Sequence, residues 1–172
     1  MGEHMPAGKT VSMRALSIQQ PWCSAIAYGD KRVENRTWQA PHWITGTTIA
    51  LHASKGPDWY APARAWTAAG LTPYRYGDPR KAWTASLALG AIVALAEVTE
   101  SHSRGCGTFD HGYCSPWAVT GQHHWVLANV RPLLVPVPCR GALGLWRLPE
   151  DVECAVREQL ATSPVTTVQE AR

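Results

Sequence analysis

A chain of 172 residues has the size of one domain able to bury a core, and its net charge of +3 is compatible with a nucleic-acid partner without demanding one. No stretch approaches the ~18 to 20 continuous apolar residues of a membrane span, and residues 1–12 lack a signal peptide's apolar segment. Five cysteines, an odd number without the spacing of a disulfide framework, point to free thiols in a reducing cytoplasm.

Residues 1–12 read as a disordered N-terminus or a cloning remnant and carry no functional argument. Met13 to Ile18 alternates as a short strand. Pro21 suits a first helical turn, and Trp22, Ala25, Ile26 and Tyr28 give the helix an apolar side until Gly29 ends it. Val33 to Trp38 alternates again, with Glu34, Arg36 and Trp38 on one face and Val33, Asn35 and Thr37 on the other. Thr47 to His52 is a more apolar strand. Asp58 is placed to cap a helix carrying Trp59, Ala63 and Trp66 at i, i+4 and i+7.

Gly70 to Pro79 has the composition of an exposed loop. Gly90 to Val98 is the clearest buried strand, and His102 to Pro116 is a polar, Gly-rich excursion. Trp125 to Val137 and Leu143 to Leu148 read as closing strands. A last helix starts at Pro149, and residues 151–172 are expected as that helix and a loose tail. The expected class is an α+β barrel of about five to six strands with two to three flanking helices, occupying residues 13–150.

Chemistry concentrates in two places. Lys31 and Glu34 stand three apart after a helix-ending glycine, with Arg36 next on the Glu34 face. In a cleft the pair serves as base and acid, because desolvation moves such groups towards neutral pH. On the surface it is an ordinary ion pair with Arg36 as a second partner. Leu51-His52-Ala53-Ser54-Lys55 ends a strand with three polar groups, the position from which barrels present ligand contacts. Arg36, Lys55 and Arg131 are phosphate candidates; Arg offers a bidentate fork and Lys a point charge. Nine tryptophans against one phenylalanine leave some rings for a cleft, where each stacked base is worth about 1–3 kcal/mol. Trp22 either stacks on a base beside Gln20 or packs inward and anchors its helix.

A third cluster, His102-x3-Cys106-x4-His111-x2-Cys114, offers two thiolates and two imidazoles, the ligand types of structural zinc, without a Cys-x2-Cys knuckle. Apart from that zinc, no cofactor is expected.

The run Leu16-Ser-Ile-Gln-Gln-Pro-Trp22 followed by Gly29-Asp-Lys31-Arg-Val-Glu34-Asn-Arg36 resembles the ASCH domain, a family related to PUA-like RNA-binding barrels. His124-Trp125-Val126-Leu127, Pro138-Cys-Arg-Gly141 and Gly144-Leu-Trp146 extend the likeness over roughly residues 13 to 148. The resemblance implies a PUA-like barrel and a cleft in which the Gln20–Trp22 corner meets Lys31. It also implies two activities. Some small bacterial members hydrolyse the amide of N4-acetylcytidine with the motif lysine and a threonine three residues later; here Lys31 is followed by Glu34. Those hydrolases add a glutamate beyond the central strand, where this chain has only Glu100 and Asp110 before Trp125. Other members are described as ribonucleases.

The expected function is binding of single-stranded RNA or DNA, or of a modified nucleoside. Lys31, Glu34 and Arg36 form the polar wall, Trp22 and Trp38 stack, Arg36 and Lys55 meet phosphate, and Gln20, Glu34, His52 and Ser54 make polar contacts. The alternative is a hydrolase on the same cleft, with Lys31 and Glu34 catalytic. A third reading is an adaptor whose tryptophan-rich surface binds a protein partner.

Overall fold

The computed structural model describes residues 12–71, 87–102 and 114–162. Within them the chain runs β1 (Arg14–Ile18), α1 (Trp22–Ala27), β2 (Val33–Arg36), a 3-10 turn at His42–Ile44, β3 (Thr47–Ala53), α2 (Ala63–Ala68), β4 (Ala91–His102), β5 (His123–Pro138), β6 (Leu145–Arg147) and α3 (Glu150–Thr162). The six strands make one sheet in the order β2-β5-β4-β3-β1-β6. Only β1 and β3 pair in parallel; the other four pairings are antiparallel. The fold is α+β, as the alternation and helix signals require.

Residues 91–96 are all buried, so β4 is covered on both faces. On one side Ala94, Ala96 and Val98 pack with Leu16, Ile26, Ile49 and Trp125; on the other Ile92 and Leu95 meet Val152 and Val156 of α3. Successive residues Val93 and Ala94 fall in one cluster because the ladder to β5 slips between Ile92 and Ala94. Two further slips, between Leu95 and Glu97 and between Val98 and Glu100, and Asn129 at φ 49°, bend the 16-residue β5. Such irregularities tighten twist and curl a sheet. The curl brings edge strand β2 towards β1, where Arg36 reaches the Ser17 carbonyl at 2.6 Å.

Three boundaries differ from the sequence pattern. β2 stops at Arg36, before Trp38. α2 begins at Ala63 behind Pro62, whose missing N–H suits a helix start, so Asp58 does not cap it. β4 continues to His102, into the stretch read as an excursion. Gly29 does more than end α1: a Cβ there would lie 2.5 Å from the Ala68 carbonyl oxygen, so its bareness is what lets α2 approach. Most of the expected Gly70–Pro79 loop, most of the 102–116 excursion, residues 1–11 and the tail after Thr162 lie outside the described residues. Among the described residues no helix is long and apolar enough to cross a membrane.

Candidate nucleic-acid interface

The tight exit from α1 drives the Lys31 side chain inward, where it is 1% exposed. Its Nζ donates to the Val33 carbonyl and to Glu34 Oε2, the latter at 2.9 Å. The other Glu34 oxygen, Oε1, lies 3.2 Å from Arg36 Nε, an ion-pair contact off the hydrogen-bond line. Glu34 thus sits between two cations, and Arg36 Nη2 continues the chain to the Ser17 carbonyl. The surface-pair reading does not describe this arrangement, since Lys31 and Glu34 are both buried. Removing Glu34 leaves two cations without a counter-charge in a poorly solvated site, and removing either cation leaves one Glu34 oxygen unpartnered.

These groups line a cleft of about 340 Å³, with Trp22 and Asp58 also in its wall. Trp22 Nε1 donates to Asp58 Oδ2 at 3.0 Å, and Lys31 Nζ lies 5.9 Å from the Trp22 ring centre. Asp58 is itself held: its Oδ1 accepts the Tyr60 amide at 3.1 Å, and its own amide donates to the Gln20 carbonyl at 2.6 Å. From β2, Asn35 Nδ2 donates to the Trp117 carbonyl and its Oδ1 accepts the Val119 amide, both at 2.9 Å. That clamp brings Val119 to the cleft. Asn35, Ser17 and Asp58, the last read from sequence only as a helix cap, are wall and support residues whose site role no local spacing signals, because Trp22, Trp117, Val119 and Trp146 reach them from other parts of the chain.

Beneath the cleft lies Cys23, fully buried. Burial, and then the Glu34 charge, push its thiol well above the usual range, so it stays protonated and is no nucleophile.

Other expected residues are placed differently. Gln20 is fully buried, and both ends of its amide are used: Nε2 donates to the Ala88 carbonyl and Oε1 accepts the Ser24 amide, each at 3.0 Å. It braces the corner and does not line the cleft. Trp38, beyond the end of β2, packs edge-on against Trp125 with centroids 4.6 Å apart, and its carbonyl accepts Trp125 Nε1 at 3.2 Å. It belongs to the core margin. His52, Ser54 and Lys55 line a second, larger cavity of about 920 Å³ that shares Ser17 with the first. Arg131 lines a groove with Arg14 and Trp43, away from both.

Of the four metal candidates, Cys106 and His111 lie outside the described residues. His102 Nδ1 is 3.1 Å from Glu100 Oε1, and Cys114 Sγ is 3.5 Å from His124 Nδ1. Among the described residues no three His, Cys, Asp or Glu side chains are grouped to hold a metal ion. Glu100, one of the two acids considered for a hydrolase, is thus engaged with His102; Asp110 is outside the described residues.

Comparisons with known proteins identify relatives of the chain. A 36-residue stretch is 50% identical to human activating signal cointegrator 1, covering 19% of this chain and 6% of that protein. The chain therefore matches only a small part of that relative's length. Among solved structures it is similar to the crystal structure of ASCH from Zymomonas mobilis (TM-score 0.48, 13% identity, 87% of this chain and 94% of that one). A point mutant of the same bacterial protein aligns alike (TM-score 0.47, 13% identity, 87% and 96%). The ASCH domain model matches residues 16–137, a span that holds the whole Lys31–Glu34–Arg36 chain and most of the sheet. The protein belongs to the ASCH domain family.

Proposed function

We propose that the protein binds single-stranded nucleic acid, or a modified nucleoside, in the Lys31–Glu34–Arg36 cleft. The observation that carries this reading is the cation–carboxylate–cation chain, with Lys31 and Glu34 buried and Arg36 half-buried, in one cavity wall with the Trp22 indole. Apolar side chains would fill that volume without the desolvation cost of three charges. About 340 Å³ falls within the ~300–1,000 Å³ of small-molecule sites. Trp22, fixed by Asp58, stacks on a base. Lys31 uses two of its three N–H donors internally and keeps one for ligand. Glu34 retains lone pairs that accept a base amino group. Cys23, Cys139 and Cys154 are free thiols, which supports a cytoplasmic setting.

The remaining Lys31 donor also favours a second reading, a hydrolase of the nucleoside-amide or ribonuclease type. A partly desolvated amine beside a carboxylate is suited to general acid–base work. Against it, Glu34 stands where the amidohydrolases carry a hydroxyl, and both its oxygens already face cations.

The test incubates wild-type and Lys31→Ala protein with single-stranded RNA, single-stranded DNA and N4-acetylcytidine, following products by mass and binding by tryptophan quenching. The binding reading expects saturable quenching without product, weakening as salt rises from about 50 to 200 mM. Affinity indifferent to salt, or no quenching at all, overturns it. Product formed by wild type and lost in a Lys31→Ala protein that remains folded by circular dichroism establishes the hydrolase.

A further inference from the structure

Ser17 stands between the two cavities and is held on three sides. Its carbonyl accepts Arg36 Nη2, its hydroxyl accepts Trp146 Nε1 at 3.2 Å, and that hydroxyl donates to the Ala142 carbonyl at 2.9 Å. The last contact lays segment 138–143 along the ends of β1 and β3, and the 920 Å³ cavity lies under it. Within that cavity His52 is 2% exposed. Its Nε2 donates to the Cys139 carbonyl at 3.0 Å, so the neutral ring carries a lone pair on Nδ1. That nitrogen is buried without a partner. A Cβ on Gly141 would stand 2.6 Å from it, so only glycine leaves the ring its place.

The mouth has a different character. Lys55 and Arg140 are both exposed, and no carboxylate among the described residues pairs with either. Two cations at the rim that no described carboxylate neutralises, over a buried acceptor and apolar walls, suit an anion that carries a polar ring. A free nucleoside in the Lys31 cleft would use neither Lys55 nor Arg140.

We infer that the larger cavity seats the nucleotide adjoining the one held in the Lys31 cleft, with the linking phosphodiester at Ser17 between Arg36 on one side and Lys55 and Arg140 on the other. The preferred ligand is then a strand of linked nucleotides. The inference rests on the proposed function of the Lys31 cleft.

The test measures binding to the full chain by tryptophan quenching and calorimetry, with a ribonucleoside, the matching dinucleoside monophosphate and inorganic phosphate. Wild type is compared with Lys55→Ala/Arg140→Ala and with Lys31→Ala. Wild type binds the dinucleoside at least about tenfold more tightly than the nucleoside, and the double variant abolishes that advantage while leaving nucleoside affinity unchanged. Both substituted residues are exposed, so an unchanged melting curve confirms the fold. Equal wild-type affinities for nucleoside and dinucleoside overturn the inference while the Lys31 cleft stands. So does a double variant that lowers both equally, or one that loses only inorganic phosphate. If no ligand binds wild type, the reading of the Lys31 cleft has failed and takes this one with it.

Discussion

Arg36 on β2 and Ser17 on β1 are joined by a 2.6 Å hydrogen bond, although their strands are not neighbours in the sheet. One side chain therefore does two things. Its Nη2 ties the curled edge strand to the opposite half of the sheet, while its Nε faces Glu34 at 3.2 Å. A planar fork serves two acceptors in fixed directions; an ammonium does not.

Arg36→Met leaves the Ser17 carbonyl without this donor and Glu34 with Lys31 alone. The expected loss is about 1–3 kcal/mol of stability, and Arg36→Lys recovers only part of it. Urea denaturation checks this, with a lowered midpoint and an unchanged slope as the expected result.

Lys31→Met leaves a buried carboxylate facing only Arg36 and is expected to cost about 3–5 kcal/mol. Adding Glu34→Gln removes the carboxylate whose Oε2 has lost its donor, so the double variant is more stable than the sum of the single losses implies. A double-mutant cycle reads the coupling directly. Strict additivity would mean that the two groups do not interact as the 2.9 Å contact requires.

Asp58→Ala releases the Trp22 indole and the Tyr60 amide together. Stability falls by about 0.5–1.5 kcal/mol for each lost hydrogen bond, and strand binding weakens because the stacking ring is no longer fixed. Asp58→Asn keeps an acceptor for the indole and stays close to wild type in the quenching assay.

The order of strands and helices was legible because alternation and helix-stopping signals are local, and so was the Lys31, Glu34, Arg36 spacing. The burial of that trio was not, since it depends on β2 pairing with β5, Glu34 opposite Trp125. Trp38 was misplaced by extending alternation past Arg36, where the strand ends and side-chain direction is no longer set by the pleat. Gln20 has the chemistry of a base reader, but its amide meets Ala88 and Ser24, which only the packed corner brings to it. His52, Ser54 and Lys55 share a strand end as expected, yet that end opens into the neighbouring cavity.

His52 gives a pH prediction. Burial holds its imidazole below the ordinary value, partly offset by the Cys139 carbonyl. The unfolded chain therefore takes up the proton first, near the usual pKa of about 6.5, and unfolding becomes easier as pH falls from there through the lower folded value. Above that window the group adds no pH dependence. Melting temperature should drop from pH 7 towards pH 5, and His52→Gln should flatten that part of the profile.

Gly141→Ala would set a Cβ 2.3 Å from His52 Cε1 and 2.8 Å from Ser17 Oγ. The crowding is expected to cost about 1–3 kcal/mol, read as a lowered denaturation midpoint. No loss would mean that segment 138–143 moves aside freely.

The pairing of β2 with β5 has a consequence for synthesis of the protein. Lys31, Glu34 and Arg36 leave the ribosome well before β5, and Val33 to Arg36 acquire their strand partners only when His123 to Val126 have followed. Loop closure over that separation is slow and precedes its reward. Until then the nascent chain carries the charged motif in water, with no pocket around it. A chain arrested before β5 should display the full motif and hold no ligand.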